Sequence, residues 1–183
     1  MKLIILDRDG VINEDSDDFI KTPEEWVPID GSAQAIAQLH QAGFTVVVAT
    51  NQSGVGRGYF SIDTLTAIHQ KMIQHVETAG GKISGIFYCP HAPDDGCDCR
   101  KPKAGLIDQI ITRFKTDVVN APLVGDSLRD LECGVARGCC PVLVKTGKGR
   151  RTLEKGLPSA LANIAVYDSL LDFTQDFLAQ ERA

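Results

Sequence analysis

Two aspartates, Asp7 and Asp9, follow directly after the apolar run Lys2–Leu6. Two carboxylates at the tip of a buried strand can bind a divalent cation and can supply both a nucleophile and a proton shuttle. On an extended chain residues two apart share one face, so Asp7 and Asp9 would converge and Arg8 would turn away. Aspartate and glycine are also frequent in turns for backbone reasons alone, so Asp7–Gly10 by itself leaves both interpretations open.

Further polar groups follow the later apolar runs. Thr50-Asn51-Gln52-Ser53-Gly54 comes after the second run and offers a hydroxyl, two amides and a glycine at which backbone N–H groups can approach an anion. Arg100 and Lys101 follow the third run, and Asp126 and Asp130 follow the fourth. Ligands of parallel sheets bind at the carboxyl ends of the strands, so this recurrence favours an active site over isolated turns.

Three cysteines and a histidine, Cys89, His91, Cys97 and Cys99, lie within a short segment rich in Pro, Asp and Gly. Three thiolates and an imidazole form a tetrahedral zinc set, whereas the competing interpretation is a loop of reduced cysteines. The regular spacing favours zinc. Protein groups fill all four positions, so the metal is expected to be structural and to hold the adjoining Arg100-Lys101 in place.

The spacing of apolar residues predicts an alternation of strands and helices from one end of the chain to the other. Such alternation indicates a parallel sheet with right-handed crossovers and helices on both faces, that is, an α/β fold. The predicted strands are Lys2–Leu6, Phe44–Ala49, Ile83–Tyr88, Pro122–Val124, Pro141–Lys145 and the start of Ile164–Ala179. The predicted helices are Ser32–Gln41, one from Ser61 to Gly80, Ala104–Phe114, about Leu128–Arg137 and the end of Ile164–Ala179.

Bulk composition narrows the function classes. The 183 residues are 43% hydrophobic and 23% charged, as expected for one globular domain, and the net charge of −5 disfavours nucleic-acid binding. No apolar stretch reaches membrane-spanning length and no signal peptide is evident, so we expect a cytoplasmic monomer without disulfides. Cys133, Cys139 and Cys140 are predicted to be buried thiols, and His40, His69 and His75 to be surface or packing residues.

The ordered strings Asp-x-Asp-Gly, Thr-Asn-Gln, Arg-Lys-Pro and Gly-Asp-Ser-x-x-Asp resemble the haloacid dehalogenase superfamily of phosphotransferases over essentially the whole chain. The resemblance implies a three-layer, mostly parallel Rossmann-like sheet without a large cap domain. Residues 1-183 would then form a single phosphatase domain, with a flap at about 11-30 and a zinc loop at 89-99. The chain is most similar to a small group that contains heptose 1,7-bisphosphate 7-phosphatases and histidinol-phosphate phosphatases, both of which commonly carry the zinc loop.

The resemblance also assigns roles within a magnesium-dependent aspartyl-phosphate mechanism. Asp7 would be the nucleophile and Asp9 the general acid and base, while Thr50 and Lys101 would hold the phosphoryl oxygens. Asp7, the backbone carbonyl of Asp9 and Asp126 would bind Mg²⁺, and Asp130 would orient Asp126 or Lys101 rather than bind metal itself. Lys103 is the other candidate cation, and we expect it to be a solvated lysine.

A polar, aromatic-bearing segment, Asp15–Pro28, is expected to act as a flap that excludes water, although a long loop with buried aromatic residues would look the same. A heptose bisphosphate would need cations for its second phosphate, and Arg57, Arg100 and Lys148–Arg151 could supply them. The resemblance would then place the enzyme in ADP-heptose and lipopolysaccharide core biosynthesis. Histidinol phosphate would instead favour acidic partners in the flap. The wealth of spare basic residues is more similar to the heptose bisphosphatases, so we expect Mg²⁺-dependent removal of the 7-phosphate from a heptose 1,7-bisphosphate, with histidinol phosphate as the alternative substrate. A phospho-aspartate receiver module is the alternative outside enzymes. The predicted substrate-binding residues are Asp15, Ser16, Asp17, Asp18, Asn51, Gln52, Ser53, Arg57 and Arg100.

Overall fold

The computed structural model describes residues 1–181 and contains one parallel sheet of six strands in the order β3-β2-β1-β4-β5-β6. The strands are β1 (Leu3–Leu6), β2 (Thr45–Asn51), β3 (Gly85–Cys89), β4 (Pro122–Gly125), β5 (Cys140–Val144) and β6 (Ala165–Tyr167). The helices are α1 (Ser32–Gln41), α2 (Ile62–Thr78), α3 (Gly105–Phe114), α4 (Leu128–Val135), α5 (Gly149–Glu154) and α6 (Leu170–Gln180). A short 3-10 helix, Ser159–Leu161, precedes β6. Among residues 1–181, no helix combines the length and apolar character needed to cross a bilayer.

The predicted α/β fold is confirmed, and the strand order explains where the site must lie. All strands run parallel, but β2 and β3 are added on one side of β1 and β4 to β6 on the other, so the strand order reverses between β1 and its hydrogen-bonded neighbour β4. In sheets of this order, ligands bind at that switch point, outside the carboxyl ends of the strands. Asp7 and Asp126 come immediately after β1 and β4 and therefore lie on either side of it.

Both faces of the sheet are covered, as its uniformly buried central strand requires. Ile4 and Leu6 of β1 pack in one core cluster with residues of α1, α2 and α6. Leu3 and Ile5 point to the opposite face and pack with residues of α3 and α4. The alternation along β1 thus anchors both helical layers directly beneath Asp7.

The segment at 11-30, predicted to be a flap, has a buried base and a polar tip. Trp26 is 1% exposed and belongs to the same core cluster as α1 and α2. Lys71 Nζ on α2 donates to the backbone carbonyls of Pro23 (2.6 Å) and Trp26 (2.9 Å), which fixes the returning half of the segment. Phe19 is only partly buried and belongs to none of the core clusters, so only one of the two aromatic residues is part of the core.

Three sequence expectations differ from the structure. Helix α5 was not predicted, because Gly149–Glu154 contains a single large apolar residue and therefore no helical periodicity. Cys140 is exposed rather than buried, since it begins β5 at the sheet margin, whereas Cys133 and Cys139 are buried as expected. His69 is buried and hydrogen-bonded to Arg8, so it is more than a packing residue.

Candidate active site

A polar cleft of about 250 Å³ opens at the carboxyl ends of β1, β2 and β4. It brings together all four predicted catalytic residues, Asp7, Asp9, Thr50 and Lys101. Most of the predicted substrate-binding residues also line it, namely Asp15, Ser16, Asp17, Asn51, Gln52, Ser53, Arg57 and Arg100. Asp18 is an exposed residue that does not line the cleft. Its side chain therefore lies outside the site that the sequence predicts for it.

Lys101 forms the positive centre of the cleft and is only 3% exposed. Its Nζ lies 2.9 Å from Asp7 Oδ1 and 2.6 Å from Asp130 Oδ1, and it donates to the carbonyl of Ala49 at 2.7 Å. Burial opposes its charge, but Asp130 and Asp7 outweigh that effect and raise the pKa of Lys101. Lys101 is thus a fixed cation next to the carboxylate that is the candidate nucleophile.

Asp130 fixes the position of the Lys101 ammonium group. Its Oδ2 accepts hydrogen bonds from the backbone N–H (3.0 Å) and hydroxyl (2.6 Å) of Ser127, which leaves Oδ1 for Lys101. The bond from the Ser127 N–H is part of a capping box at the start of α4, so the same residue caps the helix and positions the cation. The expectation that Asp130 orients a neighbour agrees with this geometry.

The surrounding protein only partly compensates the negative charge that Asp7 and Asp126 carry when they are ionised. Burial, followed by repulsion from Asp130, raises the pKa of Asp7 to about 7 and that of Asp126 to about 8. Oxygens of Asp7, Asp126 and Asp130 all lie within 4.8 Å of one another. Both carboxylate oxygens of Asp130 already accept hydrogen bonds, from Lys101 and from Ser127. Asp7 and Asp126 each retain a carboxylate oxygen that could bind an oxygen-preferring divalent cation such as Mg²⁺.

Two glycines allow the backbone to approach Asp126. Gly10 (φ 80°) and Gly147 (φ 54°) lie against each other, and a Cβ on either would collide with Asp126 Oδ2. The following backbone N–H, from Lys148, donates to the same oxygen at 2.7 Å. Asp126 is therefore oriented by main-chain groups that only glycine at positions 10 and 147 permits.

Asp9 is held by a dense set of donors. Arg8 approaches its carboxylate with Nε at 3.0 Å and Nη2 at 2.8 and 3.1 Å. Asn13 Nδ2 and Gln52 Nε2 each donate to it at 2.9 Å. Burial alone would raise the pKa of Asp9, but the charge of Arg8 and the amide hydrogen bonds outweigh burial and lower it.

The amides of the second strand end position other groups. Gln52 Nε2 also donates to Thr50 Oγ1 at 2.9 Å, which leaves the Thr50 hydroxyl proton free for another acceptor. Asn51 makes two hydrogen bonds with the backbone of Lys101, accepting from its N–H at 3.0 Å and donating to its carbonyl at 3.1 Å. Both amides were predicted to bind substrate, whereas these contacts serve Thr50, Asp9 and Lys101.

Cations surround the outer part of the cleft. Arg57 and Arg100 line it as predicted, and Arg129 and Lys148 line it as well. Arg129 was missed because a single arginine on a predicted helix carries no signal of its own. Lys148 belongs to the segment Lys148–Arg151, which the sequence predicts to bind an anionic group, and its Nζ is 3.0 Å from Asp15 in the flap.

The Cys/His segment forms a compact cluster beside the cleft. Cys89 Sγ lies 3.6 Å from Cys97 Sγ and 3.5 Å from His91 Nδ1, which in turn lies 3.3 Å from Cys99 Sγ. Tetrahedral zinc with Zn–S bonds of about 2.3 Å requires sulfur atoms roughly 3.8 Å apart, so the donor set fits Zn²⁺. Lys103 Nζ donates to the carbonyl of Cys97 at 2.6 Å and is exposed, away from the cleft.

Comparison with known proteins identifies similar sequences along the whole chain. Residues 2–130 match the family described as Polynucleotide kinase 3 phosphatase, and residues 98–173 match the one described as HAD-hyrolase-like. The chain is 55% identical over 183 residues to the D-glycero-beta-D-manno-heptose-1,7-bisphosphate 7-phosphatase of Neisseria meningitidis serogroup A, covering 100% of this chain and 97% of that protein. The protein of the same name from Pseudomonas putida is 54% identical, with 97% of this chain and 100% of the relative covered.

Solved structures give the same result. The D,D-heptose 1.7-bisphosphate phosphatase from B. bronchiseptica, complexed with magnesium and phosphate, superimposes with a TM-score of 0.94 at 52% identity. The match covers 98% of this chain and 99% of that one. The corresponding phosphatase from Burkholderia Thailandensis gives a TM-score of 0.76 at 44% identity, covering 98% and 99% of the two chains.

Proposed function

Because the chain belongs to the haloacid dehalogenase-like hydrolases and, within them, to the D-glycero-beta-D-manno-heptose-1,7-bisphosphate 7-phosphatases, we propose that it removes the 7-phosphate from that sugar bisphosphate. The observation that carries the proposal is the cluster of Asp7, Lys101 and Asp126 at the sheet's switch point. The chain is a phosphoric monoester hydrolase, and membership of a phosphatase family disfavours the receiver-module alternative.

In the first step, an oxygen of Asp7 attacks phosphorus in line and the bond from phosphorus to the sugar oxygen breaks. The electron pair of that bond goes to the sugar oxygen, which takes a proton from Asp9. Lys101 neutralises negative charge beside the phosphoryl group, and the free Thr50 hydroxyl proton donates to one of its oxygens. The product is an aspartyl-phosphate on Asp7.

In the second step, water attacks the same phosphorus while Asp9 accepts a proton from it. The bond between phosphorus and Asp7 breaks, and phosphate leaves with Asp9 again protonated. The lowered pKa of Asp9 keeps this side chain ionised in the free enzyme, so the proton that it donates in the first step must arrive with the substrate. One carboxyl group therefore serves both half-reactions.

Asp7 and Asp126 would hold the catalytic Mg²⁺, with the backbone carbonyl of Asp9 as the family-implied third ligand. Bound Mg²⁺ would neutralise the phosphoryl oxygens and stabilise the charge of the transition state. The raised pKa values of both carboxyl groups support the assignment, because they indicate that the protein alone does not fully stabilise the ionised form, which a bound cation would favour.

The Cys89, His91, Cys97 and Cys99 cluster would bind a structural Zn²⁺. Cys99 is bonded directly to Arg100, and the backbone of Cys89 accepts a hydrogen bond from Gln52 N–H at 2.7 Å. The metal would thus brace both the Arg100-Lys101 pair and the loop after β2. A loop this polar has little apolar burial of its own to maintain that shape.

A second phosphate on the substrate fits the charges around the cleft better than histidinol phosphate does. Arg57, Arg100 and Arg129 line the cleft without a carboxylate partner within salt-bridge distance among residues 1–181. The acidic flap residues that an imidazole or ammonium would need are not free: Asp17 lies 3.4 Å from Arg151, and Asp18 lies outside the cleft.

We infer from this substrate a role in ADP-heptose and lipopolysaccharide core biosynthesis. The flap tip, which Asp15 and Asp17 link to the α5 segment, would close over the bound sugar and exclude water.

The decisive assay measures kcat/KM with Mg²⁺ for heptose 1,7-bisphosphate, histidinol phosphate and fructose 1,6-bisphosphate. We expect the heptose bisphosphate to be preferred by at least about 100-fold, which corresponds to about 2.7 kcal/mol of transition-state binding. Asp7→Asn should abolish turnover, and Asp18→Asn is the matched control from outside the cleft. A preference for histidinol phosphate would overturn the substrate assignment, and loss of activity in Asp18→Asn would contradict the site.

A further inference from the structure

Arg8 lies between the two catalytic aspartates and is completely buried, at 0% exposure. Its Nε and Nη2 groups are directed at the Asp9 carboxylate, and its Nη1 faces His69 Nε2 at 3.2 Å. A buried guanidinium needs an acceptor along each edge, because every unsatisfied donor there is costly. Asp9 covers one edge and His69 covers the other.

His69 itself is buried and lies near an aromatic ring. It lies on α2, is 7% exposed, and its ring lies 5.9 Å from the ring of Tyr88 on β3, centroid to centroid. Burial, together with the charge of Arg8, lowers the pKa of His69 to about 3. The imidazole is therefore neutral at physiological pH, and its Nε2 lone pair can accept a hydrogen bond from Arg8.

We propose that His69 is a positioning residue, which fixes the Arg8 guanidinium and through it the orientation of the Asp9 carboxylate. The proposal rests on the proposed phosphatase function but not on the identity of the sugar. A carboxylate can rotate about its terminal bond, and the bidentate contact with Arg8 restricts that rotation. Arg8 in turn is restrained by α2 through His69. The general acid is thereby anchored to a helix that does not itself line the cleft.

The consequence depends on the leaving group. A sugar alkoxide leaves poorly unless Asp9 protonates it, whereas p-nitrophenolate leaves without much help. The parameter kcat/KM reports only steps up to release of the leaving group, so hydrolysis of the aspartyl-phosphate does not affect it. Misorientation of Asp9 should therefore lower kcat/KM for alkyl phosphates selectively.

The test compares His69→Leu, which lacks an acceptor, with His69→Gln, which retains one, on a sugar phosphate and on p-nitrophenyl phosphate. We expect His69→Leu to lower kcat/KM about tenfold on the sugar phosphate and less than about twofold on the aryl ester, a small part of the 10²–10⁴ that general acid catalysis supplies. His69→Gln should recover most of the loss. His75→Leu on the same helix is the matched control and should change neither rate.

Equal losses on both esters, no loss on either, or failure of glutamine to restore the rate would overturn the proposal. If His69→Leu does not fold, as judged by circular dichroism, Arg8→Lys replaces it. Lysine keeps the charge but cannot contact both Asp9 oxygens and His69, so the same selective loss is expected, and an unselective one refutes the proposal. A wild-type enzyme that hydrolyses other alkyl phosphates but not the heptose bisphosphate would refute only the substrate assignment.

Discussion

Replacing Lys101 with methionine removes a buried cation while keeping a side chain of similar length. Lys101 Nζ contacts Asp7 at 2.9 Å and Asp130 at 2.6 Å. Removing one partner from a buried ion pair costs about 3–5 kcal/mol. Asp130 would retain its two hydrogen bonds from Ser127, and Asp7 can take up a proton near neutral pH. We therefore expect the free energy of unfolding to fall by about 3 kcal/mol, the lower end of that range.

The effect on catalysis should be larger than the effect on stability. Loss of a preorganised charge beside the transferring phosphoryl group is expected to lower kcat about 10²–10³-fold. Urea unfolding measures the first effect and steady-state kinetics the second. Lys103→Met is the matched control, because the side chain of Lys103 is 54% exposed and should change stability by no more than about 0.5 kcal/mol. Wild-type kcat in Lys101→Met, or an equal loss in Lys103→Met, would refute this account of the cation.

Three further predictions concern the metals and the backbone around them. Burial raises the pKa of Asp7 to about 7 and that of Asp126 to about 8, so the metal-free native state holds protons that the unfolded chain has released. Its stability should fall as pH rises from about 4 to 8. Mg²⁺ should therefore raise Tm more at pH 8 than at pH 5.5, by roughly 5 °C in differential scanning fluorimetry, and equal shifts would contradict the charge argument. Cys97→Ser should lose zinc, stability and activity together, whereas the control Cys140→Ser should lose none of them; metal analysis, thermal unfolding and kinetics measure these effects. Full activity in zinc-free protein would refute the claim that the metal braces the Arg100-Lys101 pair. Gly147→Ala should displace Asp126 and lower kcat at least about tenfold, and unchanged Mg²⁺ dependence of kcat would argue against this orientation of Asp126.

The sequence identifies the parts of this site that depend on local rules. The β1 run and the later apolar runs predict strands, and in a parallel sheet their carboxyl ends meet, which brings Asp7, Thr50 and Asp126 together. The helix Ser32–Gln41 has the predicted bounds, because its apolar spacing and the following glycine are both local signals. These features required no knowledge of how the helices pack.

The remaining features depend on tertiary packing. His69 contacts Arg8 across 61 positions of sequence, and helical periodicity shows only that it lies near a buried face. The bidentate contact between Arg8 and Asp9 also cannot be predicted from the sequence. Alternation along a strand would place neighbouring side chains on opposite faces, but β1 ends at Leu6, so that rule does not apply to Arg8 and Asp9. Asp18 was misplaced because sequence proximity to Asp15 and Asp17 does not determine which side chains of the flap tip face the cleft.

The central claim is that this enzyme removes the 7-phosphate of a heptose 1,7-bisphosphate, and ³¹P NMR of the reaction mixture tests it most directly. With Mg²⁺ present, the resonance of the 7-phosphate should disappear as inorganic phosphate accumulates, while the anomeric 1-phosphate resonance persists at constant intensity. Loss of the 1-phosphate resonance, or of neither resonance, would contradict the account.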